Sequence, residues 1–185
     1  MVDLDQTIIH TTQNRPSKLN KHTISFQLNK NEPWLWTRLR LVFLFFFVFE
    51  INLTTFFRPN CCEFIAGMSK LFEMHIVTFG SRTYAHQIAR ILEDQIRKKL
   101  DTSEKQSFFS HRILSRDECV DPYHKSGNLK HLFPAGDSMV AIIDDRGDVW
   151  KYSSNCILVK KYHFFADTGD INDPHAFKVN RNIPK

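Results

Sequence analysis

Two carboxylates, Asp3 and Asp5, stand two residues apart in Met1-Val2-Asp3-Leu4-Asp5-Gln6-Thr7. A hydroxyl, Thr7, follows at the same spacing, and the apolar pair Ile8-Ile9 comes next. On an extended chain the side-chain period is two, so these polar groups share a side. Paired carboxylates at a strand end suit Mg²⁺ and phosphoryl transfer. One carboxylate can attack phosphorus and form an aspartyl phosphate. The other can protonate the leaving oxygen and later deprotonate water. Mg²⁺ takes one or two carboxylates together with substrate phosphate and waters. A D-x-D-x-T run also occurs in ordinary polar loops and helix caps, so its meaning depends on what the rest of the chain supplies.

The rest supplies two further polar strand ends. Met139-Val140-Ala141-Ile142-Ile143 is a continuous apolar run that ends in Asp144-Asp145-Arg146. Such a run is expected of a parallel strand buried on both faces. His75-Ile76-Val77-Thr78-Phe79 is a second buried-type strand, followed by Gly80-Ser81 and by helical spacing over Arg82–Leu92 with Tyr84, Ile88, Ile91 and Leu92 on one face. Strand, small-residue turn and helix predict a βα unit of a parallel sheet, hence an α/β fold. Thr78 and Ser81 fall at the turn, where hydroxyls and backbone N–H groups meet anions. Lys125 and Lys130 lie before the last apolar run, and either could neutralise phosphate. Open α/β sheets place ligands at the carboxyl ends of their strands, where these groups fall.

The remaining elements read as follows. Val2–Asp5 is the end of a strand with almost no beginning, so the chain looks truncated at its N-terminus. His10–Lys30 is polar loop plus a short strand at Thr23–Leu28, and Trp34–Arg40 alternates as another strand. Pro59–Leu71 has helical spacing. Asp94–Ser107 is charged and expected to be solvated. Phe108–Leu114 is a strand or hairpin arm, and Ser115–Lys130 is polar with a turn at Asp121-Pro122. Val149–Tyr152 and Ile157–Phe165 are short elements, and from Ala166 the chain reads as linker.

At 185 residues the chain is most simply one domain. A net charge of +5 favours an acidic partner, such as a phosphopeptide, nucleic acid or an anionic surface. No Lys/Arg block concentrates that charge, so direct nucleic-acid binding is not specifically indicated and is not expected. Cys61, Cys62, Cys119 and Cys156 form no C-x-x-C pair, so zinc is not expected and a reducing compartment is. No signal peptide is visible. Leu41–Phe49 is nine apolar residues, interrupted afterwards by Glu50 and Asn52. That is too short for a membrane span, which needs about 20 residues. The Phe- and Leu-rich segment 41–57, flanked by Arg40 and Arg58-Pro59, is read as a retained intron translated in frame, with a buried strand or helix as the alternative.

The runs DLDQTIIHTT, TFGSRTYAH, FSHRILSRDE and GNLKHLFPAGDSMVAIIDDRGDVW together resemble the catalytic domain of the RNA polymerase II C-terminal-domain phosphatases, within the haloacid-dehalogenase superfamily. Deleting about 17 residues at 41–57 restores TRLRPNCCEF, which resembles the family's continuous stretch and supports the reading of a retained intron. The resemblance implies a Rossmann-like parallel sheet flanked by helices, with a small β insertion between Leu92 and Asp144. It implies a phosphatase domain over residues 1–168 and a linker or tail over 169–185. Asp3 matches the nucleophile and Asp5 the general acid/base. Thr78 matches the hydroxyl that bonds phosphate. Lys125 matches the phosphate-neutralising lysine, with Lys130 the runner-up because Ser126-Gly127-Asn128 are extra there. Asp144 and Asp145 match the last acidic pair. Asp145, Asp3 and the Asp5 carbonyl are the expected Mg²⁺ ligands, with Asp144 orienting Lys125 and water. The implied substrate is phosphoserine in the polymerase's repeated C-terminal tail, the implied compartment the nucleus, and general transcription factors are implied partners. The alternatives are a related small phosphatase acting on other phosphoproteins, a non-catalytic scaffold of the same fold, and a non-functional fragment.

Overall fold

The computed structural model describes residues 1–13, 23–28, 35–39, 61–100, 107–165 and 168–174. The segment 41–57, and with it the reading as a retained intron, lies outside them.

The architecture is α/β. Its main sheet is parallel and is assembled from short pieces. Strand β4 (Ile76–Val77) pairs with β5 (Ile113–Leu114), and β6 (Ile142–Asp144) pairs with β7 (Cys156–Leu158). Val2 joins the two halves by bridging in parallel to Ile76 on one side and Ile143 on the other. Its N–H reaches the His75 carbonyl at 2.8 Å, and its own carbonyl accepts the Val77 N–H at 3.0 Å. The Asp3 N–H completes the junction on the Ile143 carbonyl at 3.0 Å. The resulting order is β7, β6, Val2, β4, β5. The N-terminal stretch expected to be a strand end occupies the centre of the sheet.

Each face of this sheet is covered, as continuous apolar strands require. On one face α1 (Cys61–Met68) and α2 (Arg82–Leu100) pack Ile65, Tyr84, Ile88, Leu92 and Ile96 against Val2, Leu4 and Ile76. On the other, α3 (Ser126–Leu132) and a 3₁₀ turn (Asp148–Trp150) pack Leu129, Val149 and Trp150 against Val77 and Ile142. Adjacent Ile76 and Val77 enter different cores, the two-residue alternation of a strand. An apolar groove of about 610 Å³ beside Met1 is lined by Phe64, Met68, Phe72, Met139 and Ile143.

Four expectations are corrected. Among the described residues no separate small sheet lies between Leu92 and Asp144. The described strand there, β5, belongs to the parallel sheet, and the separate antiparallel sheet is built from β1 (Ile9–Thr12), β3 (Leu35–Leu39) and β2 (Thr23–Phe26), in that order. Ile9–Thr12 is therefore a buried strand rather than the start of a polar loop. Its threonines and histidine find hydrogen-bond partners inside, as His10 does by accepting from the Phe164 and Phe165 N–H groups. Helix α2 runs to Leu100 instead of ending at Leu92. Ile96 extends the buried stripe, Arg97 reaches back to Glu93 at 3.1 Å, and Arg97, Lys98 and Lys99 complement the helix C-terminus. Finally, residues 169–174 are not linker, because Asp170 and Asn172 line the cleft described next.

Candidate active site

The cleft lies at the carboxyl ends of Val2, β4 and β6 and is lined by Asp3, Asp5, Thr78, Phe79, Lys125, Asp144, Asp145, Arg146, Asp170 and Asn172. Local geometry delivers the first acids. After Leu4 the chain turns sharply: the Thr7, Ile8 and Ile9 N–H groups all point at the Leu4 carbonyl, at 3.0 to 3.3 Å, and Gln6 takes φ of 56°. That left-handed conformation is uncommon for a residue other than glycine. Its backbone carbonyl accepts the Tyr162 N–H at 2.8 Å, which helps to hold the turn. The turn lets Asp3 and Asp5 face different groups instead of lying flat along one strand.

Asp3 faces Lys125. The ammonium donates to Asp3 Oδ1 at 2.6 Å and to Asp144 Oδ2 at 2.8 Å, with all three side chains buried. The same ammonium lies over the rings of Phe79 and Trp150, 5.1 and 5.9 Å from their centroids. Lys125 gets there from the residue just before α3, where its N–H bonds the Val149 carbonyl at 2.8 Å. Asp144 is further held by the Trp150 indole N–H at 2.8 Å and the Arg146 N–H at 2.9 Å. Asp145 turns to Thr7, whose hydroxyl donates to its Oδ1 at 2.8 Å and accepts its N–H at 3.0 Å. Thr78 is buried after β4, and its Oγ1 accepts the Gly80 N–H at 3.0 Å.

Asp5 sits apart, held by neutral groups. The Tyr84 hydroxyl donates to its Oδ1 at 2.5 Å, and the Asn172 carboxamide donates to its Oδ2 at 2.8 Å. Tyr84 in turn bonds the Thr11 hydroxyl at 2.8 Å, tying β1 to the site.

Burial dominates the electrostatics. It raises the Asp3 carboxyl well above its ordinary range, and the neighbouring Asp144 adds to the rise while Lys125 opposes it. Burial raises Asp5 to about 6, against the bonds from Tyr84 and Asn172. Asp145 is raised by burial against the Thr7 bond. For Lys125, burial alone would favour the neutral amine, but Asp144 and Asp3 outweigh it and the ammonium is held above its ordinary value. Asp3, Asp144 and Asp145 bring carboxylate oxygens within 4.8 Å of one another. Three carboxyl groups face one ammonium, and the donors are all hard oxygens. Such a set fits Mg²⁺.

The fold thus brings together Asp3, Asp5, Thr78, Lys125, Asp144 and Asp145. Lys130 is exposed on α3 and takes no part. Asp144 belongs to the carboxylate cluster as well as to Lys125, and the Asp5 side chain lies outside that cluster. Sequence reasoning missed Trp150 and Asn172 as site residues and read Tyr84 only as a core face. The polar run Gly169-Asp170-Ile171-Asn172 carried no signal to separate it from the tail.

A parallel α/β sheet with paired acids and a buried lysine at its carboxyl edge defines a class of phosphoryl-transfer proteins, and residues 1–178 of this chain belong to the NLI interacting factor-like phosphatase family. The chain is 51% identical over its full length to a human phosphatase of the RNA polymerase II C-terminal domain, covering 16% of that protein. It is 45% identical to the Caenorhabditis elegans protein of the same name, with 96% of this chain and 23% of that one covered. It thus spans less than a quarter of either curated relative. Among solved structures it is similar to a variant of the fission yeast RNA polymerase II CTD phosphatase Fcp1 bound to beryllium fluoride. The TM-score there is 0.70 at 33% identity, covering 93% of this chain and 43% of that one. A second Fcp1 structure matches with a TM-score of 0.70 at 32% identity, covering 97% and 47%.

Proposed function

We propose that this chain is the phosphatase domain of an RNA polymerase II C-terminal-domain phosphatase, removing phosphate from serine in the polymerase's repeated tail. The observation that carries this reading is the separation of the two acids. Asp3 shares the Lys125 ammonium with Asp144, whereas Asp5 is hydrogen-bonded by the neutral side chains of Tyr84 and Asn172. A nucleophile needs charge balance beside an incoming phosphate, and an acid/base needs a proton affinity near the working pH.

An Asp3 oxygen attacks phosphorus as the bond to the serine oxygen breaks, and Asp5 gives its proton to that oxygen. Water then attacks phosphorus in the aspartyl phosphate and loses a proton to Asp5. Phosphate leaves and Asp3 is restored. Lys125 offsets charge on the transferring group, and the Thr78 hydroxyl hydrogen-bonds a phosphate oxygen. Asp3, Asp145 and the Asp5 carbonyl would hold Mg²⁺, with Asp144 alongside. When bound, the ion supplies further neutralisation of the phosphate oxygens. The relatives' names support this substrate and a nuclear, transcriptional setting, in which general transcription factors are the proposed partners. The paired acids and Lys125 of the cleft support a phosphoserine side chain as its substrate. Among the described residues no helix is long and apolar enough to cross a membrane.

The test is phosphate release from a phosphoserine polymerase-tail peptide, with Mg²⁺ and with chelator, by this chain and its Asp3→Asn variant. Mg²⁺-dependent release that disappears in the variant is expected. Release that persists in Asp3→Asn would remove Asp3 as nucleophile. No release from a folded chain would favour a scaffold.

A further inference from the structure

The segment expected to be linker closes on the acid/base. Asn172 reaches Asp5 Oδ2 across 167 positions of sequence. It is held in place by its own N–H on Asp170 Oδ1 at 2.8 Å, and its neighbour Asp173 is tied to Arg146, beside the last acidic pair, at 3.0 Å. Tyr84 approaches the other Asp5 oxygen from α2. Gly80 makes room for both: a β-carbon there would collide with the Tyr84 ring and stand 3.4 Å from Asn172 Nδ2. With Tyr84 alone the Asp5 carboxyl could swing about a single anchored oxygen. A second donor on the other oxygen removes that freedom.

We infer that Asn172 is a positioning residue for Asp5, fixing the carboxyl so that its proton is delivered to the leaving oxygen. The segment 168–174 is then part of the catalytic apparatus. The inference rests on the reading of Asp5 as acid/base, and its experiment separates the two.

First-turnover rates are measured in the presence of Mg²⁺ with two substrates, a phosphoserine peptide and dinitrophenyl phosphate. Serine alkoxide cannot depart without a proton, whereas dinitrophenolate can. Asn172→Ala is expected to slow the phosphoserine reaction about 10- to 100-fold, the cost of roughly 1 Å of misplacement. Its dinitrophenyl burst should change less than about threefold, with KM unmoved. Asn172→Asp, which keeps the shape but turns a donor into an acceptor, should do the same or worse. The unperturbed burst shows that each variant is folded. Equal loss on both substrates, or loss on neither, overturns the inference. Asp5→Asn is the control. If it shows the same selectivity while the Asn172 variants do not, only the role of Asn172 fails. If Asp5→Asn lowers both substrates equally, the reading of Asp5 fails with it.

Discussion

Replacing Lys125 by Met tests the electrostatic core of the site. Met keeps a similar side-chain volume and removes the ammonium, together with its contacts to the Phe79 and Trp150 rings. Lost with it are two charge-assisted hydrogen bonds, of 2.6 and 2.8 Å, to Asp3 and Asp144. Removing one partner of a buried ion pair costs about 3–5 kcal/mol, a large share of the roughly 5–15 kcal/mol that holds a domain together. The cost depends on pH. Burial and Asp144 already raise the Asp3 carboxyl, and the ammonium is what opposes them. Without it the folded-state affinity for a proton climbs further. A carboxyl raised in this way contributes stability that is fully present below its unfolded value of 3.8 and is lost as pH rises through the folded value. The variant should therefore be penalised more once pH passes the folded value that Asp3 has in the parent chain. Urea unfolding in chelator over a pH series reads the difference directly. A penalty below about 1 kcal/mol, or one that does not change anywhere along the series, would refute the argument that a buried ammonium balances Asp3 and Asp144. Phosphate release by the same variant should fall by about 10²–10³-fold or more, the usual cost of removing one charge-stabilising group.

Three further changes probe what surrounds that centre. Thr7→Val breaks both hydrogen bonds to Asp145. It should cost about 1–3 kcal/mol in urea unfolding, as for a buried pair left unsatisfied, and weaken Mg²⁺ binding measured by calorimetry. Gly80→Ala drives a β-carbon into the Tyr84 ring. A cost of about 1–3 kcal/mol from overpacking is expected, with a fall in kcat as Tyr84 leaves Asp5, read by thermal unfolding and steady-state kinetics. Burial and the nearby Asp5 push the Asp170 carboxyl up to about 7. By the same sign, its contribution is present below its unfolded value of 3.8 and lost as pH rises through about 7. Asp170→Asn should therefore gain stability relative to the parent chain between pH 4 and pH 8 in urea titrations, and a flat difference would remove Asp170 from the balance.

Much of the site was legible because its acids adjoin their strands in sequence. Asp3 follows Val2, Thr78 follows β4, and Asp144-Asp145 close an apolar run, so periodicity alone puts them at strand ends. The α/β class followed from the same local patterns. Strand β1 was not legible. Ile-His-Thr-Thr is polar by composition, and it is buried only because Tyr84 and the 164–165 backbone supply partners from elsewhere in the chain. The register of β5 depends on a parallel crossover, which no local pattern encodes.

What the sequence determined by itself is the chemistry on offer: two acidic pairs, the hydroxyls of Thr7, Thr78 and Ser81 and two candidate lysines, each tied to a neighbouring apolar or helical pattern by a short-range rule. What only the tertiary structure decided is which of these groups meet. Lys125 enters the site and Lys130 stays outside because the chain before α3 bonds Val149, and that bond depends on how α3 sits on the sheet. Asn172 meets Asp5 across 167 residues, and Tyr84 across 79. Such contacts are chosen by packing of distant elements, to which a one-dimensional period of two or 3.6 is blind.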